Sequence, residues 1–193
     1  MATRTIDQFT APADFSTSMV PSPQYWFALY TRARHEKSVA KSLQQRGLTA
    51  FLPLVTQIHR WSDRQKKVQV PLFPGYTFVR TIDAPDTFVR ILNTPGVVGF
   101  VGVGRRGIQI PEKQIEDIQT VLTQNLDCTL HPFLRVGQRV RVRGGCLNGI
   151  EGLLVAINGN KTLVISVESI SRSIAISVNG YDVEILSSNS LVC

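Results

Sequence analysis

Cysteine is scarce in this 193-residue chain. Cys128, Cys146 and Cys193 make an odd number, and no pair has metal-ligand spacing. That excludes a disulfide-stapled scaffold and a cysteine zinc site, and it fits a reducing compartment. Histidine is equally sparse. His35, His59 and His131 stand apart from one another and from the cysteines, so each reads as a solvated or loop histidine. His35-Glu36 lacks the second histidine of a zinc-protease helix, and Gly102-Val103-Gly104 is too short for a nucleotide fingerprint. No Ser/His/Asp or Cys/His order for nucleophilic catalysis occurs. The chain therefore reads as a binding protein, with no catalytic residue, no metal ligand and no cofactor. No apolar run approaches the roughly 18 residues that cross a bilayer. Residues 1–23, rich in Thr, Ser, Pro and Ala, lack the basic start and apolar stretch of a secretory signal and read as a disordered tail. A cytoplasmic protein without a membrane partner is expected, and a monomer.

What is present is enough apolar residue, 43%, to bury cores, and a length that holds one ordinary domain or two small ones. The net charge of +7 is unevenly placed. Residues 24–124 carry 14 basic against 7 acidic side chains, and residues 133–186 carry 6 against 4. A basic first half favours a polyanionic partner, though many basic domains are only soluble.

Two styles of patterning divide the chain. Residues 24–30 form a short aromatic run with strand character, and 34–46 read as a helix stopped by Gly47. Val39, Ala40 and Leu43 share one face of it. Arg34, Lys37 and Lys41 fall opposite, as a solvated face or as a face turned toward phosphates. Strands are expected at 49–53, 56–60, 66–71 and 76–80, with a basic hairpin tip between 60 and 67 carrying Trp61. Asp83 and Pro85 suit the start of a short helix to about 93. Residues 97–101 are β-prone, and Ile115, Ile118 and Leu122 recur at helical spacing after Pro111. This order predicts an α+β domain over 24–124, an antiparallel sheet with helices packed on it. Residues 125–132 show no periodicity and read as a linker. From 133 to 187, Val140 and Val142 alternate with Arg139, Arg141 and Arg143. Four further Val/Ile-rich segments are punctuated by Asn-Gly turns. Five short strands in so few residues predict a small all-β barrel. Residues 188–193 are a C-terminal tail.

Particular segments carry a resemblance. Trp26-Phe27-Ala28-Leu29-Tyr30-Thr31-Arg32, Pro71-Leu72-Phe73-Pro74-Gly75-Tyr76-Thr77-Phe78-Val79 and Asn93-Thr94-Pro95-Gly96-Val97-Val98 resemble, in order and spacing, the N-terminal (NGN) domain of the NusG family. Val136-Gly137-Gln138-Arg139-Val140-Arg141-Val142, followed by Gly144-Gly145, Gly149 and Glu151-Gly152, resembles the KOW motif that opens that family's SH3-like barrel. The resemblance implies a transcription elongation or antitermination factor. Its NGN domain would dock on the clamp helices of the largest RNA polymerase subunit and raise processivity.

The positions matching the docking patch are Tyr30, Phe73, Tyr76, Phe78 and Phe100, with Val103 where the family has an aromatic. The gate-loop contact matches Thr87, Phe88 and Val89. Contact with non-template DNA or nascent RNA matches Arg32, Arg34, His35 and Lys37, and, at the hairpin tip, Arg64, Lys66 and Lys67. That tip resembles specialised paralogues serving long polysaccharide operons. The barrel's partner loop matches Ile170 and Arg172. The resemblance implies a ribosomal small-subunit protein there, while Ser171, in place of the family's glycine, counts against Rho. The Val/Ile runs predict that the barrel stays β rather than refolding into helices. The KOW segment and the basic charge alone would also allow a stand-alone RNA-binding or ribosome-associated module.

Overall fold

In the computed structural model, residues 22–60, 65–103, 106–124, 128–131, 137–157 and 160–186 are described. The chain begins with β1 (Gln24–Thr31), α1 (Glu36–Gln45) and β2 (Thr49–Phe51), then a ribbon of β3 (Leu54–Arg60) and β4 (Gln65–Pro71). β5 (Tyr76–Ile82), α2 (Pro85–Leu92), β6 (Val97–Phe100), the β7 (Gly102–Val103) and β8 (Arg106–Gly107) hairpin, β9 (Gln109–Ile110) and α3 (Glu112–Thr123) complete the first unit. β10 (Cys128–His131), β11 (Gln138–Arg143), β12 (Glu151–Ile157), β13 (Asn160–Val167), β14 (Arg172–Ser177) and β15 (Asp182–Ile185) form the second.

The first unit is the α+β domain that the patterning predicts. Its sheet runs β2-β5-β1-β6, all antiparallel, with β9 added to the free half of β1. β1 is buried from Trp26 to Leu29 without alternation because both faces of the sheet are covered. Phe27 and Leu29 pack with Val39, Leu43, Phe88 and Ile91 of α1 and α2. Trp26 and Ala28 pack the other way, with Phe78, Ile115 and Ile118, so α3 lies on the opposite face. Helix α1 ends as its sequence dictates. Gly47 takes φ 78°, its N–H bonds Gln44 O, and Leu48 N–H bonds Leu43 O, which satisfies carbonyls that the helix would otherwise leave unpaired.

Two local expectations are corrected. Helix α1 starts at Glu36 rather than Arg34, because Arg34 sits at φ 64° and cannot belong to a right-handed helix. Asp83 does not cap α2. Ala84 holds that position, and the Asp83 carboxylate instead accepts a bond from Gln109 Nε2 at 3.1 Å. The two strands expected on either side of Pro53 are separate: β2 joins the main sheet, while β3 pairs with β4.

In the second unit the five expected strands are present, in the order β14-β13-β12-β11-β15. Val140, Val142, Leu163, Ile165, Ile174 and Ile176 fill its interior. The linker segment supplies a further strand: β10 pairs antiparallel along β14, from Cys128 opposite Ile176 to His131 opposite Ser173. Periodicity cannot reveal a strand this short on a sheet edge. Residues of both units join one contiguous apolar cluster. α3 packs on β13, where Val164 is buried on the face opposite Leu163 and Ile165.

Candidate functional site

The three motif segments meet at the junction between β1 and α1. Gly75 and Gly96, at φ 84° and 94°, make the turns there that only glycine makes cheaply. The Gly75 N–H donates to Glu36 Oε1 at 2.8 Å, and Glu36 is buried. A Cβ on Gly96 would lie 2.9 Å from Val39 Cγ2 and 3.0 Å from His35 Cβ, so the Pro95-Gly96 turn rests directly on the start of α1. Thr31 N–H bonds Gly75 O, and Arg32 N–H bonds Gly96 O, both at 2.8 Å. The junction loop is thus braced from both sides. Glu36, inconspicuous beside His35 in the sequence, is the residue that sequence reasoning missed. A carboxylate at the first turn of a helix was the available signal; the Gly75 amide whose bond it accepts comes from 39 residues along the chain.

On this frame sit Tyr30, Arg32, Arg34, His35 and Lys37, all exposed. Tyr30 is 49% exposed and stands edge-to-face with Tyr76, ring centroids 5.6 Å apart. Beside it runs a groove of about 550 Å³, lined by Tyr30, Thr31, Arg34, Lys37, Gln69 and Pro74 among others. Lys37 is held across it by a 2.7 Å bond from Nζ to Gln69 O. Thr31 lies along the groove, but its hydroxyl is closed off from solvent and finds no partner among the described residues. The surface combines an exposed aromatic ring with one tethered and one solvent-exposed cation, a combination suited to stacking and to anionic groups.

The other expected patch residues are distributed differently. Phe73 is 1% exposed and Phe78 fully buried. The two rings meet at 6.1 Å in the core beneath Tyr76. Phe100 lies on the opposite face, its ring 4.6 Å from Phe88 and 5.9 Å from Phe27. The five positions therefore do not form one exposed apolar surface. Tyr30 and the half-buried Tyr76 reach the surface, Phe73 and Phe78 lie in the core cluster against which Tyr76 packs, and Phe100 belongs to the α2 side. Adjacent aromatics alternate between faces of a two-sided sheet, which a linear match cannot resolve. Of the gate-loop positions, Phe88 is core, Thr87 is half-buried, and Val89, 52% exposed, faces out. Lys67 is exposed on β4. Arg64 and Trp61, and the side chain of Lys66, lie outside the described residues, as does the side chain of Val103.

In the barrel, a 3-10 turn over Glu168–Ile170 leads into Ser171 at φ 48°. This is the loop expected to meet a partner, and its geometry explains why a glycine suits the position that serine fills. Ile170 is 5% exposed, while Arg172 is exposed. The outward arginines of β11 are largely matched within the barrel. Arg141 donates to Glu151 Oε1 from Nε at 2.9 Å and Nη2 at 2.6 Å, and Arg143 pairs with Glu184. Among the described residues, no cluster of three or more His, Cys, Asp and Glu side chains is arranged to hold a metal, and no helix is long and apolar enough to cross a membrane.

Comparison with known proteins follows this geometry. Residues 24–119, essentially the first unit, match the family model described as transcription termination factor nusG. The transcription termination/antitermination protein NusG of Lactococcus lactis is 29% identical over 86% of this chain and 96% of its own. That of Streptococcus pyogenes is 30% identical over 70% of this chain and 82% of its own. A solved structure titled for domain interaction in Thermotoga maritima NusG shares the fold, with a TM-score of 0.50 at 18% identity, over 86% of this chain and 98% of that one. With its two units, their order and the motif-built junction all accounted for, the chain belongs to the NusG family of transcription termination/antitermination factors.

Proposed function

We propose that this chain is a non-enzymatic bacterial elongation and antitermination factor that acts in the cytoplasm. In this reading the N-terminal domain docks on the clamp helices of the largest RNA polymerase subunit and favours processive transcription. The observation that carries it is Tyr30: a half-exposed aromatic at the end of β1, beside the braced junction loop, supported by Tyr76 and by the buried Phe73 and Phe78. A rigid aromatic anchor over packed supports offers contact area at low entropic cost. The adjoining groove with Arg34 and Lys37 takes the phosphates and a base of non-template DNA or nascent RNA, and Val89 supplies the exposed part of a gate-loop contact. The barrel recruits a ribosomal small-subunit protein through the Glu168–Arg172 loop.

A stand-alone RNA-binding module is the second reading. Internal pairing of Arg141 and Arg143 weighs against it, because a pair already neutralised releases few counterions on meeting a phosphate backbone. The two readings part on one experiment. Tyr30→Ala should weaken capture of RNA polymerase at least tenfold, about 1.4 kcal/mol, without changing thermal stability appreciably. Unchanged capture would sink the clamp-docking reading.

A further inference from the structure

Arg46, at the end of α1, reaches across to the end of α2. Its Nη1 donates to Arg90 O and to Thr94 Oγ1, both at 3.0 Å. Each acceptor has few alternatives. Past the last turn of α2, Asn93 N–H bonds Val89 O and Thr94 N–H bonds Ile91 O. Arg90 O lies between them, among the carbonyls that a helix end leaves without an internal partner. A cation placed there also meets the negative pole of the helix. Thr94 is 2% exposed, so its hydroxyl has little recourse to water, and leaving it unpaired is costly.

Thr94 opens the turn that braces the β1–α1 junction. Val97 N–H closes this turn onto Thr94 O at 3.0 Å. Within it, Gly96 rests on His35 and Val39, and Gly96 O accepts the Arg32 N–H at 2.8 Å. Arg34, in the braced loop, sits at φ 64°, a conformation that persists only where the surroundings over-determine it.

We propose that Arg46 is a positioning residue for the junction. Through Thr94 it fixes the Thr94–Val97 turn, and through that turn it fixes the Arg32–His35 loop in the geometry that meets a nucleic-acid strand. This rests on the reading that the junction binds such a strand. The guanidinium suits the task. Two N–H groups of one planar nitrogen are aimed at acceptors on separate segments, whereas an ammonium on a flexible stem fixes neither direction. The Arg46 charge is engaged at the end of α2, and Arg46 itself does not touch the strand.

The test compares Arg46→Ala, Arg46→Lys and Thr94→Val in the full chain. Amide hydrogen exchange at Arg32 reports the brace. A fluorescent single-stranded oligonucleotide reports binding, read as affinity and as the slope of log affinity against log salt. Arg46→Ala should speed exchange at Arg32 at least fivefold and weaken strand binding about threefold to tenfold. The salt slope should stay as it is, because no phosphate contact is lost. Thr94→Val, which removes only the acceptor in the turn, should produce the same pair of effects. Arg46→Lys keeps the charge and should not restore affinity. A slope lowered by about 0.7 in Arg46→Ala, with affinity regained in Arg46→Lys, would make Arg46 a phosphate contact and overturns the proposal. So does unchanged exchange at Arg32 in both Arg46→Ala and Thr94→Val, with circular dichroism showing them folded. Faster exchange with unaltered strand binding reduces Arg46 to a brace of the fold and overturns its role in binding. If the unaltered chain binds no strand while exchange quickens in the variants, the nucleic-acid reading of the junction fails, and the positioning role falls with it.

Discussion

The two halves of the molecule solve the same packing problem with different residues. Between residues 24 and 103 the chain spends Trp26, Phe27, Phe51, Phe73, Phe78, Phe88 and Phe100 on a sheet covered from both sides. The described part of the barrel holds one aromatic, Tyr181, and is otherwise built from Val, Ile and Leu. The charges differ in parallel. Cations at the β1–α1 junction are tied to backbone carbonyls or left in solvent, whereas β11 cations meet carboxylates. Burial alone does not require aromatics, as the barrel shows. Their concentration in the first half, with Tyr30 and Tyr76 reaching the surface, is what the proposed docking role requires.

The largest test of this contrast is Phe27→Ala. Fully buried between Phe88 and Phe100, this ring should cost about 3–5 kcal/mol when truncated. The loss should appear as faster amide hydrogen exchange in β1 and β5, while the amides of β12 and β13 in the barrel keep their protection. If both sets lose protection together, the apolar cluster running through α3 makes the halves one cooperative unit, and the contrast is one of composition only.

A smaller effect separates the two sets of cations. With a fluorescent single strand, Arg34→Ala and Lys37→Ala should each lower the slope of log affinity against log salt by about 0.7. Arg141→Ala and Arg143→Ala should leave the slope as it is. A loss of slope from β11 would transfer the nucleic-acid surface to the barrel.

The smallest concerns backbone strain. Among the described residues, Arg34 and Ser171 are the non-glycine positions with φ in the left-handed region, one in each candidate contact loop. Such a conformation costs on the order of 1 kcal/mol. Ser171→Gly should therefore raise the barrel's stability by less than about 1 kcal/mol, since glycine also loses more entropy on folding. A fall in melting temperature would show that the Ser171 side chain contributes something the backbone does not reveal.

Much of this was legible in the chain itself. The period of the apolar residues located α1 and α3, Gly47 marked a helix end, and Asn-Gly turns marked out the barrel strands. What escaped has physical reasons. Arg34 is a good helix former by type, and only the junction's tertiary bracing forces it out of α1. Phe73 and Phe100 look alike in a linear match, but Phe100 pairs with Leu29 on the α1–α2 side of β1, whereas Phe73 packs with Phe78 on the other face. The resemblance alone points to the turn at Ile170, and its packing against β9 and α3 depends on how the halves meet, which no local pattern encodes.

The strand β10 has a consequence for reach. With Cys128–His131 zipped along β14, residues 124–127 alone join the end of α3 to the barrel. Four residues fully extended span roughly 14 Å. Such a leash keeps the barrel at high local concentration beside α3. Unzipping β10 would lengthen the leash to the whole stretch before β11, so that one short ladder sets how far from α3 the barrel can reach.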